Sequence, residues 1–207
     1  FMANGIDTSE FHPATAPERI TIRQRFGLPQ NRPLVLFVGR LVEKKGYQIL
    51  LAARDPAYDL VFVGPGAVPK DGHTDRVHWM GPLGQNDTAD LYRACDLFAF
   101  PAIGEVFTLV MQEAMASGVP VLTTDDPAYD GSLVSGIVDL CPRNAESFRT
   151  AIKRLIGDKD RLGTLSAQSR RIAVDHFDWR ANCAQLLQAQ SDVLRVNMQA
   201  NESVPRT

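Results

Sequence analysis

Little in this 207-residue chain is in excess: three cysteines, 8% aromatics, and 22 Lys and Arg against 24 Asp and Glu. The cysteines (Cys95, Cys141, Cys183) are far apart and none forms a CxxC. That argues against a disulfide framework or a structural zinc site and fits a reducing, cytoplasmic setting. Net charge is −2 and no basic stripe is present, so binding to nucleic acid by phosphate neutralisation is disfavoured. The longest apolar runs, residues 34–38 and 97–99, are far short of the roughly 18 residues of a membrane span. No basic region followed by an apolar stretch opens the chain, so no signal peptide is expected. Phe1 before Met2, with polar Asn4-Gly5-Ile6-Asp7 straight after, suggests a domain cut from something longer. What remains is 44% apolar and 22% charged, the composition of a globular domain able to bury one sizeable core.

Residues 1–32 are polar and broken by Pro13, Pro17 and Pro29, with one short helix expected over 18–26. Beyond them, short apolar runs alternate with helical segments. Strands are expected at 34–38, 60–63, 76–81, 96–100, 119–123 and 136–140. Helices are expected at 44–54, 86–95 (capped by Asn86 or Asp87), 109–117 (closed by Gly118), 145–156, 159–176 and 178–196. Continuous rather than alternating apolar strands suit a sheet covered on both faces. The βαβ alternation predicts an α/β fold with a doubly wound, parallel, six-stranded Rossmann-like sheet. Ligands of such sheets sit beyond the carboxyl ends of the strands.

Two such positions carry charge. After the first strand, Gly39-Arg40-Leu41 leads to Lys45-Gly46, two cations beside a helix start where a diphosphate could be held. The same residues could equally make a solvated basic loop. After the fourth strand come Glu105 and, eight positions on, Glu113, spanning Phe107-Thr108-Leu109, whose backbone N–H groups at a helix start favour an anion. Glu113, placed in the first turn or so, could accept both hydroxyls of a ribose, or could simply be a helix-end charge. No GxxxxGK[ST] and no dinucleotide fingerprint is present. Asp125-Asp126 reads as a turn and helix-cap pair, and the four histidines (His12, His73, His78, His176) read as surface residues.

Taken together and in order, Asn4-Gly5-Ile6-Asp7, Gly39-Arg40-Leu41 with Lys45-Gly46, and Glu105-x7-Glu113 followed by Ala-Met-Ala-x-Gly-x-Pro-Val resemble the C-terminal half of retaining GT-B glycosyltransferases of group one, family four. The resemblance implies a nucleoside-diphosphate sugar (UDP-, GDP- or ADP-linked) as donor substrate, no cofactor and no metal. It implies that Arg40 and Lys45 grip the diphosphate, with Gly39 among the substrate-binding residues and Arg40, Lys45 and Glu105 as catalytic residues. Glu105, with Phe107, Thr108 and Leu109, would address the transferred sugar and its phosphate. Glu113 would hold the ribose, and Met80, Gly81 and Leu83 would flank the base.

The implied organisation is a leading segment at 1–32, a nucleotide-sugar-binding domain at 33–177, a helix at 178–198 crossing to an absent N-terminal acceptor domain, and a disordered tail at 199–207. The parent would be cytoplasmic, with peripheral association at the inner membrane face left open. Val106-Phe107-Thr108 stands where the family has a glycine-bearing turn, Pro127-Ala-Tyr-Asp130 replaces Gly-Gly-x-x-Glu, and the helix between the second and third strands shrinks to a loop over 67–75. The alternatives are a GT-B-like sugar-nucleotide epimerase and a non-catalytic nucleotide-binding or interaction domain.

Overall fold

The computed structural model describes residues 5–70, 72, 74–105 and 108–202, with side chains described to residue 191. Asn4, His73, Val106 and Phe107 therefore lie outside the described residues.

Among the described residues six short strands form the centre: β1 (Leu34–Val38), β2 (Asp59–Val63), β3 (Val77–Gly81), β4 (Leu97–Phe100), β5 (Val121–Thr124) and β6 (Asp139–Cys141). They lie in the order β3-β2-β1-β4-β5-β6, and every neighbouring pair is parallel. β1, β2 and β4 are buried along their whole length, as their unbroken apolar runs require of strands covered on both faces. β3 is an edge strand, and His78 sits in it because only Val77 is fully buried there.

Among the described residues there are seven helices: α1 (Ala16–Arg25), α2 (Tyr47–Ala52), α3 (Gln85–Ala94), α4 (Leu109–Ala116), α5 (Ala145–Gly157), α6 (Lys159–His176) and the largely exposed α7 (Trp179–Glu202). α1 packs on α3, α3 on α4 and α4 on α6, whereas α2 packs on α5. Right-handed crossovers running outward in both directions from the β1/β4 pair place these two sets on opposite faces. α1 starts at a capping box: the Thr15 side chain accepts from the Glu18 N–H while the Glu18 carboxylate accepts from the Thr15 N–H. Aromatic rings fill the interior beside the sheet's carboxyl edge, with Phe62 stacked on Trp79 at 4.4 Å between centroids and Phe37 at 5.9 Å from Phe100.

The structure revises the sequence reading at several places. The helix expected over 44–54 is split into a 3-10 turn (Glu43–Lys45), Gly46 at φ 76°, and α2. A side chain at position 46 would put its Cβ 2.1 Å from the Pro101 carbonyl oxygen, so a close approach of two loops, not helix propensity, decides the backbone there. α3 starts from Gly84, not from a cap at Asn86 or Asp87. β6 begins at Asp139 rather than 136, and α7 continues through positions 199–202 expected to be disordered. The leading segment is built into the body. Ile6 and Phe11 are buried, Ile6 donates its N–H to Phe177 O at 2.8 Å, and Trp179 returns its N–H to Ile6 O at 3.0 Å. Residues 67–75 contain no helix among those described, as expected.

Candidate active site

Strand order reverses between β1 and β4, which marks the crevice beyond their carboxyl ends as the natural ligand position. The tips of β1 and β2 nearly touch there. A Cβ on Gly64 would meet Gly39 O at 2.1 Å, so the two chains can leave the sheet side by side only with glycine at position 64. Gly39 donates its N–H to Val63 O at 2.9 Å, and Gly64 donates to Gly81 O at 2.8 Å, aligning the exits of three strands. Arg40 follows at once, exposed; its carbonyl accepts from Val42 N–H at 2.8 Å, and among the described residues its side chain has no ion-pair or hydrogen-bond partner.

Lys45 reaches the site through the 3-10 turn rather than through a helix start. The Gly46–Pro101 approach and a hydrogen bond from Ile103 N–H to Lys44 O (3.1 Å) press the loop after β1 against the loop after β4. The result is an ion pair, with Lys45 Nζ 2.5 Å from Glu105 Oε2. Lys44 Nζ stands 3.8 Å from the other Glu105 oxygen, and Lys45 Nζ lies 5.4 Å from the centroid of the Phe100 ring. Arg143, just after β6, fastens both loops: its Nε donates to Pro101 O at 2.9 Å and its Nη2 to Glu43 O at 3.0 Å.

Glu113 forms a second group. It is the fifth residue of α4, so it sits in the second turn rather than the first. The buried Tyr92 hydroxyl lies 2.9 Å from Val110 O and 3.1 Å from Glu113 Oε2, and its single proton can serve one of them at a time. Burial pushes the Glu113 carboxyl up to about 7; the Tyr92 hydrogen bond opposes this and the nearby Glu10 charge adds to it. Glu10 belongs to the leading segment and is steadied by Gln85, whose Nε2 donates to Oε2 at 2.7 Å. The other Glu10 oxygen is buried without a hydrogen-bond partner among the described residues.

Of the positions expected from the sequence, Lys45 and Glu105 touch, and Gly39, Arg40, Gly81 and Leu109 lie at the same edge of the sheet. Met80 and Leu83 pack partly into the core beside the end of β3. Thr108 is the N-cap of α4, but its side chain makes no capping bond. Phe107 is outside the described residues. Sequence reasoning missed Arg143, Tyr92, Glu10 and Gln85. Only Tyr92 carried a local signal, since a tyrosine on a buried helix face needs a partner for its hydroxyl.

Asp126 caps the 3-10 turn Pro127–Tyr129 through Ala128 N–H, as its reading as a cap acid required. His78 is not a free surface histidine: its Nε2 lies 3.0 Å from the buried Asp59, which also pairs with Arg32 at 2.6 Å. A cavity of about 380 Å³ lined by Arg54, Tyr58, Thr74 and Arg76 lies at the opposite end of β2 and β3 and holds none of these acids and cations. Among the described residues, no helix is long and apolar enough to cross a membrane.

The arrangement therefore offers two separate polar stations along one sheet edge, one cationic with an acid in it and one acidic and buried. Comparison with known proteins gives the family and the fold. The family described as glycosyl transferases group 1 matches residues 18–172. A D-inositol 3-phosphate glycosyltransferase of Rhodococcus opacus is 32% identical over 211 residues, covering 91% of this chain and 46% of its own length. The chain thus spans about half the length of the curated relatives it matches. Among solved structures, the sucrose-phosphate synthase of Thermosynechococcus elongatus superposes with a TM-score of 0.78 at 27% identity, over 93% of this chain and 52% of the other. The Anabaena HepE protein in complex with UDP and glucose gives 0.78 at 25% identity, over 92% and 56%. With a six-stranded parallel sheet of this order and a family match over most of its length, the chain belongs to the glycosyl transferases group 1 family and has the Rossmann-like architecture of a GT-B half.

Proposed function

We propose that this chain is the donor-binding half of a retaining glycosyltransferase, which moves a sugar from a nucleoside diphosphate to an acceptor held by an N-terminal domain of the same parent protein. The observation that carries the reading is the pairing of two stations on one edge: Arg40 and Lys45 beside Glu105, and Glu113 farther along α4. A nucleoside diphosphate has a matching order of parts. Its pyrophosphate suits two cations at the end of a strand, and its ribose offers a cis-diol of two O–H donors to one carboxylate. The structural relative that holds UDP and glucose adds support for a nucleotide-sugar ligand.

In this reading Arg40 and Lys45 neutralise the charge that grows on the departing diphosphate, the moment at which a fixed cation contributes most. Glu105 accepts from hydroxyls of the sugar in transit. The N–H groups that open α4 lack intrahelical partners and face the phosphate side, while the end of β3 from Met80 to Leu83 flanks the base. The side chains supply the leaving-group stabilisation, so the mechanism we propose includes no metal. α7, with Trp179, Leu186 and Leu187 exposed, is the element that crosses to the acceptor domain.

Titration calorimetry of the chain with UDP, GDP and ADP tests the reading. Binding of one of them at micromolar to millimolar concentration is expected. Absence of heat and of spectral change for all three at several millimolar would contradict it. Sugar transfer, or slow donor hydrolysis, by the full-length parent separates the transferase from a non-catalytic binding domain.

A further inference from the structure

The cation placed for the diphosphate is already occupied. Lys45 Nζ is 2.5 Å from Glu105 Oε2, and the two side chains are only 21% and 14% exposed, so water screens the pair weakly. The pair is not accidental contact between two long side chains. Gly46 against Pro101, Ile103 N–H on Lys44 O, and Arg143 bridging Pro101 O and Glu43 O all fix the two loops at this separation. The Arg40 guanidinium, by contrast, has no partner among the described residues. Among the described residues the site therefore presents one cation whose side chain is unpartnered, Arg40, and two held by Glu105: Lys45 closely and Lys44 at 3.8 Å.

Resting on the donor-binding reading above, we propose that Glu105 is an internal competitor for Lys45 and sets the discrimination between sugar-bearing donor and bare nucleoside diphosphate. A diphosphate that takes Lys45 must strip it from Glu105. The donors of a bare nucleoside diphosphate lie on its ribose and base, at the Glu113 end; beside Lys45 it presents only phosphate oxygens that accept, so the carboxylate released from Lys45 gains no donor there and stands beside an anion. A sugar-bearing donor brings hydroxyl groups that donate to that carboxylate as it lets go. The exchange is balanced for substrate and unbalanced for the spent nucleotide, which promotes discharge of the product.

Apparent affinity falls by the fraction of sites that are competent, so a pair closed about nine-tenths of the time weakens nucleoside diphosphate binding about tenfold. Removing the negative charge while keeping the shape should return that factor. The test is a titration of the wild-type chain, E105Q, K45A and the double variant with UDP, GDP and ADP, followed by NMR shifts. E105A serves as the second variant, and melting curves report on folding. The expected result is roughly tenfold tighter nucleoside diphosphate binding by E105Q. In the K45A background, where only repulsion between the carboxylate and the phosphate is relieved, Glu105→Gln should gain clearly less than it does with Lys45 present.

Unchanged or weaker binding by both E105Q and E105A, with wild-type binding intact, overturns the competitor role and leaves the donor-binding reading standing. An equal gain with and without Lys45 also overturns it, because simple repulsion between carboxylate and phosphate would then suffice. If none of the three nucleotides binds any variant, the donor-binding reading itself has failed.

Discussion

At the scale of single residues, Glu113 makes the sharpest claim. A carboxyl buried at α4 and pushed up to about 7 is largely protonated in mildly acidic solution. Its folded value lies above the ordinary 4.5 of a free carboxyl, so the folded chain binds the proton more tightly than the unfolded chain does. The stability this supplies is complete below about 4.5 and is lost as pH rises to about 7. Binding runs the other way. Ribose hydroxyls donate, so they favour the ionised form, and nucleoside diphosphate affinity should rise from pH 6 to pH 8. Titrations across that range check this, with Glu113→Gln as control. The variant should bind more weakly at pH 8 and show a flatter profile, whereas an identical pH dependence would place the titrating group elsewhere. Tyr92→Phe removes the hydroxyl that opposes the upward shift. It should move the midpoint of the binding profile to higher pH.

At the scale of elements, the turn between β1 and α2 decides whether Lys45 is placed at all. Ala at position 46 would adopt a left-handed φ of 76° and press its Cβ to 2.1 Å from Pro101 O. Gly46→Ala should cost about 2–3 kcal/mol, combining backbone strain with the clash, and thermal unfolding reads it directly. Arg143→Ala leaves two loop carbonyls without their shared donor and should cost ~1–2 kcal/mol, a fall in Tm of roughly 2–8 °C. Arg143→Lys should recover only part, because an ammonium cannot span both carbonyls as the planar fork does. A Tm unchanged in Arg143→Ala would show that the clamp is ornamental.

These elements also show what the sequence made legible. The strands stood out because each is a compact apolar run, and the charged motifs because they follow strand ends at motif spacing. The break at Gly46 did not, since its cause is a carbonyl 55 positions away in the chain. Arg143 was invisible for the same reason: its acceptors lie 42 and 100 residues distant in sequence. Glu10 looked like part of a loose polar lead until folding brought it to Gln85 and toward Glu113. Local pattern reports elements; convergence of loops on a site is a property of the packed chain.

At the scale of the whole molecule, the leading segment and the far end of the sheet's helical layer hold each other. Arg170 Nη1 donates to Thr8 O, Phe11 O and Ala116 O, at 3.2, 2.8 and 2.7 Å, while the Thr8 hydroxyl donates to Asp178 at 2.5 Å. Ile6 and Phe11 of the same segment are buried in the core, each worth about 1.5–3 kcal/mol. Arg170→Ala should therefore lower stability by about 2 kcal/mol or more and raise the susceptibility of residues 5–15 to proteolysis. Unaltered cleavage there would show that the segment is held by its apolar contacts alone. The segment also carries Glu10, whose charge helps hold the Glu113 carboxyl up, so loosening it should move the midpoint of the pH–binding profile to lower pH without any change in Arg40 or Lys45.

All three scales meet in one claim, that the edge formed by β1 and β4 holds a pyrophosphate between Arg40 and Lys45 while Glu113 holds the attached ribose. The most direct measurement is a cycle comparing wild type with Lys45→Ala, each titrated with the best-binding nucleoside diphosphate and with the corresponding nucleoside. A charged hydrogen bond of ~1.5–3 kcal/mol predicts a loss of roughly ten- to a hundredfold for the diphosphate. The nucleoside should be unaffected within about twofold. Equal losses for both ligands, or none for either, would contradict the account.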